Sequence, residues 1–173
     1  YVKSKTLIDK KDFSRAFVQL KKIVGIQPDF ISPHYDLARL YLLMGETDNS
    51  IEEYKKLADL DPENASVHLS IGNIYSRQGK IDEALIEYKQ VVALAPDSPV
   101  GYNELAYHYA ESGTNLDEGL EHALKAAELA PKDAAILDTL GWVYFKKDNF
   151  NKAVESLKSA VATRQNSPTI RFH

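Results

Sequence analysis

The sequence contains no cysteine among its 173 residues. This absence excludes a disulfide framework, a thiolate metal site and a cysteine nucleophile, and it leaves the redox compartment open. The sequence also has no glycine loop of the phosphate-binding kind, no Gly-x-Ser-x-Gly motif and no His-Glu-x-x-His motif. We therefore expect no cofactor, no metal site and no catalytic activity.

Long apolar runs and a strong charge of one sign are absent as well. No run approaches the ~18 residues that cross a bilayer, so we expect no direct insertion into a membrane. The formal net charge is −4, with acidic and basic residues interspersed. That balance gives no reason to expect a nucleic-acid partner. With 44% hydrophobic and 27% charged residues, the composition is typical of a globular protein.

Prolines, in contrast, recur at regular intervals. Pro28, Pro62, Pro96 and Pro131 lie 34, 34 and 35 residues apart. Each ends an apolar-periodic stretch, where proline stops one helix and turns the chain into the next. A period of this length indicates stacked copies of one small unit rather than a single closed domain.

Small and larger residues recur at fixed distances before these prolines. A small residue at a shared place lets two helices approach closely, and a tyrosine fills the gap beside it. Twelve and eight residues before the prolines stand Ala16 and Leu20, Ser50 and Tyr54, Ala84 and Tyr88, and Gly119 and Ala123. A second small residue is followed three places later by a tyrosine that we expect in the core: Ala38 and Tyr41, Gly72 and Tyr75, Ala106 and Tyr109, and Gly141 and Tyr144.

The combined pattern resembles the tetratricopeptide repeat family, whose 34-residue unit is a pair of antiparallel helices with small, aromatic and proline signature places. The resemblance implies an all-α fold, a right-handed superhelical solenoid whose leading helices line the inner surface. It predicts one array over 1–173: a partial repeat over 1–30, full repeats over 31–64, 65–98, 99–133 and 134–167, and the start of a further repeat over 168–173. The departures are Ser50 and Gly119 at the usual alanine place, Gln165 at the fifth proline place, and one extra residue in the turn at 114–116.

Residues that start and stop helices predict the boundaries. Serine caps followed by proline are Ser32-Pro33, Ser98-Pro99 and Ser167-Pro168, and further caps are Asn64 and Asp133. Glycines expected to close the leading helices are Gly45, Gly79 and Gly113. Second helices are expected to begin near Asp48, Asp82, Asp117 and Asp148, where an acidic residue suits the helix dipole. We expect about eleven helices, counting two incomplete ones at the ends.

Helical rotation predicts which side chains of the leading helices face a bound peptide. In the last full repeat, Trp142 and Phe145 point away from the face that holds Leu140. A structural role for both aromatic residues stays open, because large residues in such helices also pack on the next repeat. A row of aromatic and aliphatic groups with a few polar ones suits an extended or helical peptide. The predicted strip is Tyr35, Arg39, Leu42, Leu69, Asn73, Arg77, Asn103, Tyr107, Asp138, Trp142 and Phe145, with Glu111 beside Tyr107 on the same helix.

Two more specific kinds of site are disfavoured. Clamps of this family that hold a C-terminal carboxylate use lysines and asparagines, but Tyr35 and Leu69 stand where such groups are expected. His34 and His68 occupy equivalent places one repeat apart, about one helix diameter, which is too far to share an ion through bonds of ~2 Å. The helical pairs Glu104 with His108 and Glu118 with His122 offer only two ligands each.

The sequence therefore predicts a non-catalytic scaffold that binds a protein or peptide in a concave groove. The segments at 105–111 and 135–144 resemble bacterial arrays found in envelope-associated, exopolysaccharide or secretion scaffolds. The alternative is a regulatory or substrate-docking repeat region of a larger enzyme, such as a glycosyltransferase or a protease complex. The compartment stays open between the cytoplasm and the periplasm or envelope.

Both ends of the sequence read as interrupted repeats. Residues 1–9 read as the remainder of a leading helix, and residues 167–173 as the beginning of another. The helix predicted over 151–162 carries an apolar face that a further helix would cover. We therefore expect either a following repeat or self-association through this face, which comprises Ala153, Val154, Leu157, Ala160 and Val161.

Overall fold

The computed structural model describes residues 1–165, and the regular structure in that range consists of ten α-helices. The chain divides into two compact units, Tyr1–Lys80 and Ile81–His173. The eleventh helix, predicted after Ser167, lies outside the described residues. None of the helices within residues 1–165 is long and apolar enough to cross a membrane.

The first unit contains five helices. Consecutive helices pack against each other, so that each apolar face is covered by its neighbours. The helices are α1 (Val2–Asp9), α2 (Phe13–Ile26), α3 (Ile31–Leu43), α4 (Thr47–Leu60) and α5 (Ala65–Arg77).

The small residues of the repeat pattern lie in the core of the first unit. Ala16 and Ala38 are fully buried. Ser50 is also fully buried, and its Oγ donates a hydrogen bond of 2.8 Å to the carbonyl oxygen of Ala38. This bond satisfies the hydroxyl and explains why serine fits at a place usually held by alanine. The described part of the first unit has two clusters of buried apolar residues. The larger consists of Ala38, Ile51, Tyr54, Leu57, Val67, Ile71 and Ile74.

The second unit contains the other five described helices. Besides the consecutive pairs, its two leading helices pack together, α7 against α9. The helices are α6 (Ile81–Leu94), α7 (Pro99–Ser112), α8 (Leu116–Leu129), α9 (Ala134–Lys146) and α10 (Phe150–Gln165). Their core cluster is Ala106, Ala110, Ala123, Leu140, Val143, Tyr144 and Ala153.

Two glycines of this unit lie where helices nearly touch. A Cβ atom on Gly119 would lie 3.0 Å from Cβ of Tyr109. A Cβ atom on Gly141 would lie 2.8 Å from Cγ of Leu157, closer than side chains normally approach. Glycine at these places therefore permits the close packing of α7 on α8 and of α9 on α10.

The turns that follow the leading helices confirm the glycine prediction. Gly45, Gly79 and Gly113 have φ angles of 77°, 74° and 68°, in the left-handed region that glycine adopts without strain. The prediction that the last second helix begins near Asp148 is wrong. Asp148 itself takes the left-handed place, with φ 58°, and α10 begins at Phe150.

The capping predictions are confirmed at Asn64 and Asp133, and the cap predicted at Ser167 lies outside the described residues. The Asn64 side chain accepts a hydrogen bond from the backbone N–H of Ser66, and Asp133 accepts from the two N–H groups at the start of α9. Ser98 holds the predicted position before α7, with Pro99 as the first helical residue, but its side chain accepts no capping hydrogen bond within residues 1–165. Ser32 is not a cap, because α3 already begins at Ile31. A proline needs only a place in the first turn, where N–H groups lack helical partners, so Pro33 allows this earlier start.

The signature tyrosines lie in the core, as predicted. Tyr41, Tyr109 and Tyr144 are buried. Tyr75 is half-buried and packs against the apolar cluster of the first unit.

Candidate functional site

A pocket of about 280 Å³ opens beside α7 and α9 in the second unit. We call it the aromatic pocket. Four of the predicted strip residues, together with Glu111, line it, so the structure brings these predicted positions together. The lining residues are Tyr107, Glu111, Asp138, Thr139, Gly141, Trp142, Phe145 and Leu157.

Helical spacing places these side chains on common faces. Tyr107 and Glu111 are four residues apart on α7, so they project from the same side of that helix. Asp138, Trp142 and Phe145 follow the same rule on α9, at intervals of four and three residues. The buried faces of both helices carry the core residues of the unit, and the aromatic pocket therefore forms over a packed base.

Trp142 joins the two helices across the aromatic pocket. Its Nε1 donates a hydrogen bond of 2.7 Å to Oε1 of Glu111. Its ring stacks on Phe145, with centroids 5.3 Å apart and an interplanar angle of 9°. Trp142 is half-buried and packs against the core cluster of the unit, so it has a structural role besides forming the pocket wall.

Tyr107 and Phe145 present large apolar surfaces to solvent. They are 42% and 47% exposed, respectively. The ring of Phe145 also contacts Phe150 at the start of α10, edge to face, with centroids 5.8 Å apart. The exposed side chains and the half-buried tryptophan together form an open apolar surface that a partner can cover.

Charged groups surround this apolar surface. Glu111 and Asp138 are both exposed carboxylates on the pocket lining. Nζ of Lys146 lies 4.8 Å from the centroid of the Trp142 ring, a cation–π contact within the protein. The aromatic pocket thus has two carboxylates and one ammonium at its border.

Besides the pocket residues, α7 carries two titratable groups whose pKa values are shifted by burial. His108 is buried and stacks on Tyr88, with centroids 5.5 Å apart. Burial lowers the pKa of His108, although the nearby Glu111 charge acts in the opposite direction. Burial raises the pKa of Glu104. Neither His108 nor Glu104 lines the aromatic pocket.

The sequence predicts Asn103 as part of the strip, but Asn103 does not line the aromatic pocket. It is half-buried, and its Oδ1 is buried without a hydrogen-bond partner within residues 1–165. The structure therefore leaves Asn103 apart from the other predicted positions of the second unit.

The predicted strip residues of the first unit divide between core and surface. Tyr35 and Leu42 pack against the apolar cluster, and the Tyr35 ring lies 6.3 Å from that of Tyr54. Burial raises the pKa of Tyr35, and the nearby Asp61 and Tyr54 act in the same direction. Leu69 is half-buried, whereas Arg39, Asn73 and Arg77 are exposed.

Sequence reasoning missed a buried ionic network in the first unit. Nδ1 of His34 lies 2.6 Å from Oε2 of Glu53, and its Nε2 lies 2.7 Å from the Pro28 carbonyl oxygen. Lys56 donates to the other oxygen of Glu53 at 2.9 Å. Both ring nitrogens of His34 are thus engaged within its own unit, which leaves neither open to a metal ion. The nineteen-residue separation of His34 and Glu53 gives no local pattern by which the pair could be found.

This network borders a second pocket of about 520 Å³ on the first unit. Lys21 and Lys56 line this pocket beside Asp59, while Val24 and Leu60 supply apolar lining. None of these residues belongs to the predicted strip. The pocket joins the C-terminal part of α2 to that of α4.

The second helical pair singled out in the sequence, Glu118 and His122, also has structural partners. Oε1 of Glu118 lies 3.6 Å from Nε2 of His122 and accepts a hydrogen bond of 2.9 Å from the Tyr109 hydroxyl. Burial lowers the pKa of His122, against the opposing effect of Glu118. These contacts tie α7 to α8.

Comparison with known families agrees with the helical pairs and the signature places. A TPR repeat profile matches residues 38–79 and 72–113, and a tetratricopeptide repeat profile matches residues 134–167. The chain belongs to the tetratricopeptide repeat family. A TPR repeat-containing protein of Pseudomonas aeruginosa is 36% identical to it over 62 residues. That match covers 36% of this chain and about 10% of the relative's length.

Solved structures show the same fold. The crystal structure of MamA superposes with a TM-score of 0.82, covering 94% of each chain at 22% identity. The structure of YrrB, described as a TPR protein with an unusual peptide-binding site, gives a TM-score of 0.76 and covers 94% of this chain and 84% of its own at 20% identity. A third neighbour, pilF of Pseudomonas aeruginosa, gives 0.74 at 18% identity, covering 92% and 72% of the two chains. The prediction of an all-α tetratricopeptide solenoid is confirmed.

Proposed function

We propose that this chain is a non-catalytic scaffold whose second unit binds a protein segment in the aromatic pocket. The observation that carries the proposal is the exposure of Tyr107 and Phe145 beside the half-buried ring of Trp142. Aromatic residues in a concave site over a packed base are typical anchors of protein interfaces. The rings belong to two helices that pack on each other, so the site needs little reorganisation before a partner binds.

Family membership supports an interaction role. The fold is shared with YrrB, whose structure is described as having a peptide-binding site. Repeat arrays of helical pairs present extended surfaces for partners. The residues that would contact a peptide in this chain are argued from its own aromatic pocket, because an identity of 20% carries the fold alone.

The remaining strip positions extend the proposal to other surfaces. In the first unit, the exposed Arg39, Asn73 and Arg77 would contact the partner, while Tyr35, Leu42 and Leu69 would add apolar surface at its base. Asn103 would extend the site along α7. The single array over 1–173, with the repeat boundaries given above, belongs to the same proposal.

A second candidate is a docking region within a larger enzyme assembly. The curated relative is far longer than the segment it shares with this chain, since the match covers about 10% of it. In that case the aromatic pocket would hold a segment of the enzyme's substrate or of a regulatory subunit. The same pocket residues would serve both candidate functions. A catalytic domain in the same protein or assembly would favour the docking region over the independent scaffold.

We also propose that the chain associates with a second copy of itself through α10. Of the apolar face predicted on α10, Ala153 and Ala160 are buried within the chain, whereas Val154, Leu157 and Val161 are exposed. With the exposed Phe150 these three residues form a row along one side of α10, which we call the α10 seam. Their spacing of four, three and four residues is that of an apolar coiled-coil seam. If two α10 helices pack antiparallel about a two-fold axis, Phe150 meets Val161 of the second copy and Val154 meets Leu157. The row is thus complementary to itself.

A random heptapeptide display library, screened against the immobilised chain, tests the main proposal. We expect peptides enriched above the background of the bare support, and we expect Tyr107→Ala combined with Phe145→Ala to remove that enrichment. Leu124→Ala is the matched control, because Leu124 is 46% exposed on α8 and lies outside the aromatic pocket. Enrichment that survives the double substitution would place binding elsewhere, and no enrichment would contradict peptide binding.

A further inference from the structure

The border of the aromatic pocket carries carboxylate oxygens that have no partner within the described residues. Oε1 of Glu111 accepts the hydrogen bond from Trp142, but no hydrogen bond or ion pair of residues 1–165 engages its Oε2. Asp138 makes neither kind of contact in the same range, although it lines the same pocket. Two carboxylates therefore stand beside the rings of Tyr107 and Trp142 with acceptor capacity to spare.

The aromatic rings add to the attraction that these carboxylates exert on a cation. The face of an aromatic ring carries negative potential and attracts ammonium and guanidinium groups. The protein already uses this property, since Nζ of Lys146 lies 4.8 Å from the centroid of the Trp142 ring. This one ammonium does not balance the charges of Glu111 and Asp138, so the pocket keeps an excess of negative charge.

Building on the proposed function, we propose that the aromatic pocket recognises a basic side chain of the bound protein segment, arginine ahead of lysine. Arginine suits this site best, because its planar guanidinium can stack on an aromatic ring while its N–H groups donate to two carboxylates. A pocket of about 280 Å³ has room for one such side chain. The guanidinium would donate to Asp138 and to the free Oε2 of Glu111, while its planar face lies on the Tyr107 ring.

The preference belongs to this pocket and not to the predicted strip as a whole. The exposed charged positions of the strip in the first unit are Arg39 and Arg77, which would repel a basic side chain. The charge of the predicted strip is thus positive in the first unit and negative in the second. A general attraction of the chain for basic peptides, arising from its net charge of −4, is a different effect and needs its own control.

The peptides enriched in the display screen test the inference. We expect arginine and lysine to occur in them at about three times their input frequency or more, with arginine the more enriched. Glu111→Gln combined with Asp138→Asn should return both residues to their input frequency, because the glutamine can still accept the bond from Trp142 while the charges are gone. In an enriched peptide, exchanging the arginine for glutamine should weaken binding to the unaltered chain about tenfold.

Glu121→Gln combined with Asp97→Asn is the matched control for net charge. Both residues are exposed in the second unit and lie outside the aromatic pocket. This control should keep the basic enrichment, and its loss here would show a general charge effect and overturn the inference. Enriched peptides without basic residues would also overturn it, yet would leave peptide binding intact. No enrichment at all would contradict both the inference and the proposed function.

Discussion

Trp142 on α9 donates a hydrogen bond to Glu111 on α7 across 2.7 Å, although the two residues are 31 positions apart. The bond holds the indole at the edge of the aromatic pocket, and Phe145 stacks on its ring. The same side chain packs against the core of its unit. Trp142 therefore serves both the packing of α7 on α9 and the surface that we propose for a partner.

Replacing Trp142 by alanine should weaken partner binding by about 1 to 3 kcal/mol, the range of interface hot spots. Helicity should stay nearly unchanged, because the backbone of α9 keeps its hydrogen bonds and its buried face. Calorimetric titration with a peptide enriched in the display screen measures the first quantity, and circular dichroism the second. If binding survives while the thermal midpoint collapses, the tryptophan acts only in the core.

A larger side chain at Gly141 should destabilise the second unit. A Cβ atom there would lie 2.8 Å from Cγ of Leu157 and 3.3 Å from the carbonyl oxygen of Ala153, so both Gly141→Ala and Gly141→Leu force α9 and α10 apart. Overpacking of this kind costs about 1 to 3 kcal/mol, and the leucine should cost more than the alanine. Urea unfolding followed by circular dichroism provides the measurement.

Leu157→Ala should relieve part of that cost, because the nearest clashing atoms belong to Leu157. The double variant with Gly141→Ala should therefore be less destabilised than the sum of the two single changes. Gly25→Ala is the control, since a Cβ atom on Gly25 would meet no other atom within 4 Å. Unaltered stability of Gly141→Leu would show that the contact between α9 and α10 is misplaced.

The Glu53 network of the first unit should make stability depend on pH under acidic conditions. Burial raises the pKa of Glu53, but its hydrogen bonds with His34 and Lys56 outweigh that effect and bring the pKa below its ordinary value of 4.5. A carboxyl with a depressed pKa in the folded state stabilises the protein above its unfolded pKa. The contribution disappears as the pH falls through the lower, folded value.

Glu53→Gln should therefore cost about 1.5 to 3 kcal/mol at pH 7, as expected for loss of hydrogen bonds to a charged group. The difference from the unaltered chain should shrink as the pH falls below 4.5. Urea unfolding between pH 3 and pH 7 measures both quantities. Glu52→Gln on the same helix should have little effect, because Glu52 is exposed and its contact with Lys55 is 3.5 Å long. Equal effects of the two substitutions would contradict the network.

The α10 seam should associate with a second copy at high concentration. Light scattering should report a rise from monomer to dimer, and Val154→Glu combined with Val161→Glu should prevent it by placing charges in the apolar contact. Ile86→Glu is the matched control, since Ile86 is also exposed but lies on α6. A chain that stays monomeric at high concentration, or a dimer that the seam variant leaves intact, would contradict this assignment.

The sequence predicts the helices well because residues close to each helix end, which cap the helix or form the turn, determine where it begins and ends. Asn64 and Asp133 accept hydrogen bonds from the first N–H groups of α5 and α9, and Gly79 takes the left-handed conformation that glycine favours. The exception at Asp148 has a physical reason. A non-glycine residue there adopts the left-handed conformation, which aspartate tolerates, so neither glycine nor proline marks the turn.

The candidate site is less accessible to prediction, because it depends on contacts between distant helices. Rotation about α9 correctly separates the exposed Phe145 from the buried face that holds Leu140, but Trp142 also packs against that core cluster. Rotation cannot reveal that Trp142 reaches Glu111 on another helix, or that the Asn103 side chain has a buried oxygen apart from the pocket. The His34–Glu53 pair is hidden for the same reason, since its members meet only when α3 packs on α4.

The fluorescence of Trp142 tests the central claim most directly, because it is the only tryptophan in the chain and lies in the aromatic pocket. The chain is titrated with a peptide enriched in the display screen, and the Kd from tryptophan emission is compared with the calorimetric Kd. We expect a saturable change of emission that gives the same Kd as calorimetry. Tyr107→Ala should raise this Kd about tenfold, a loss of about 1.4 kcal/mol in binding free energy. Calorimetric saturation without a change of emission, together with an unaltered Kd for Tyr107→Ala, would show that the partner binds elsewhere.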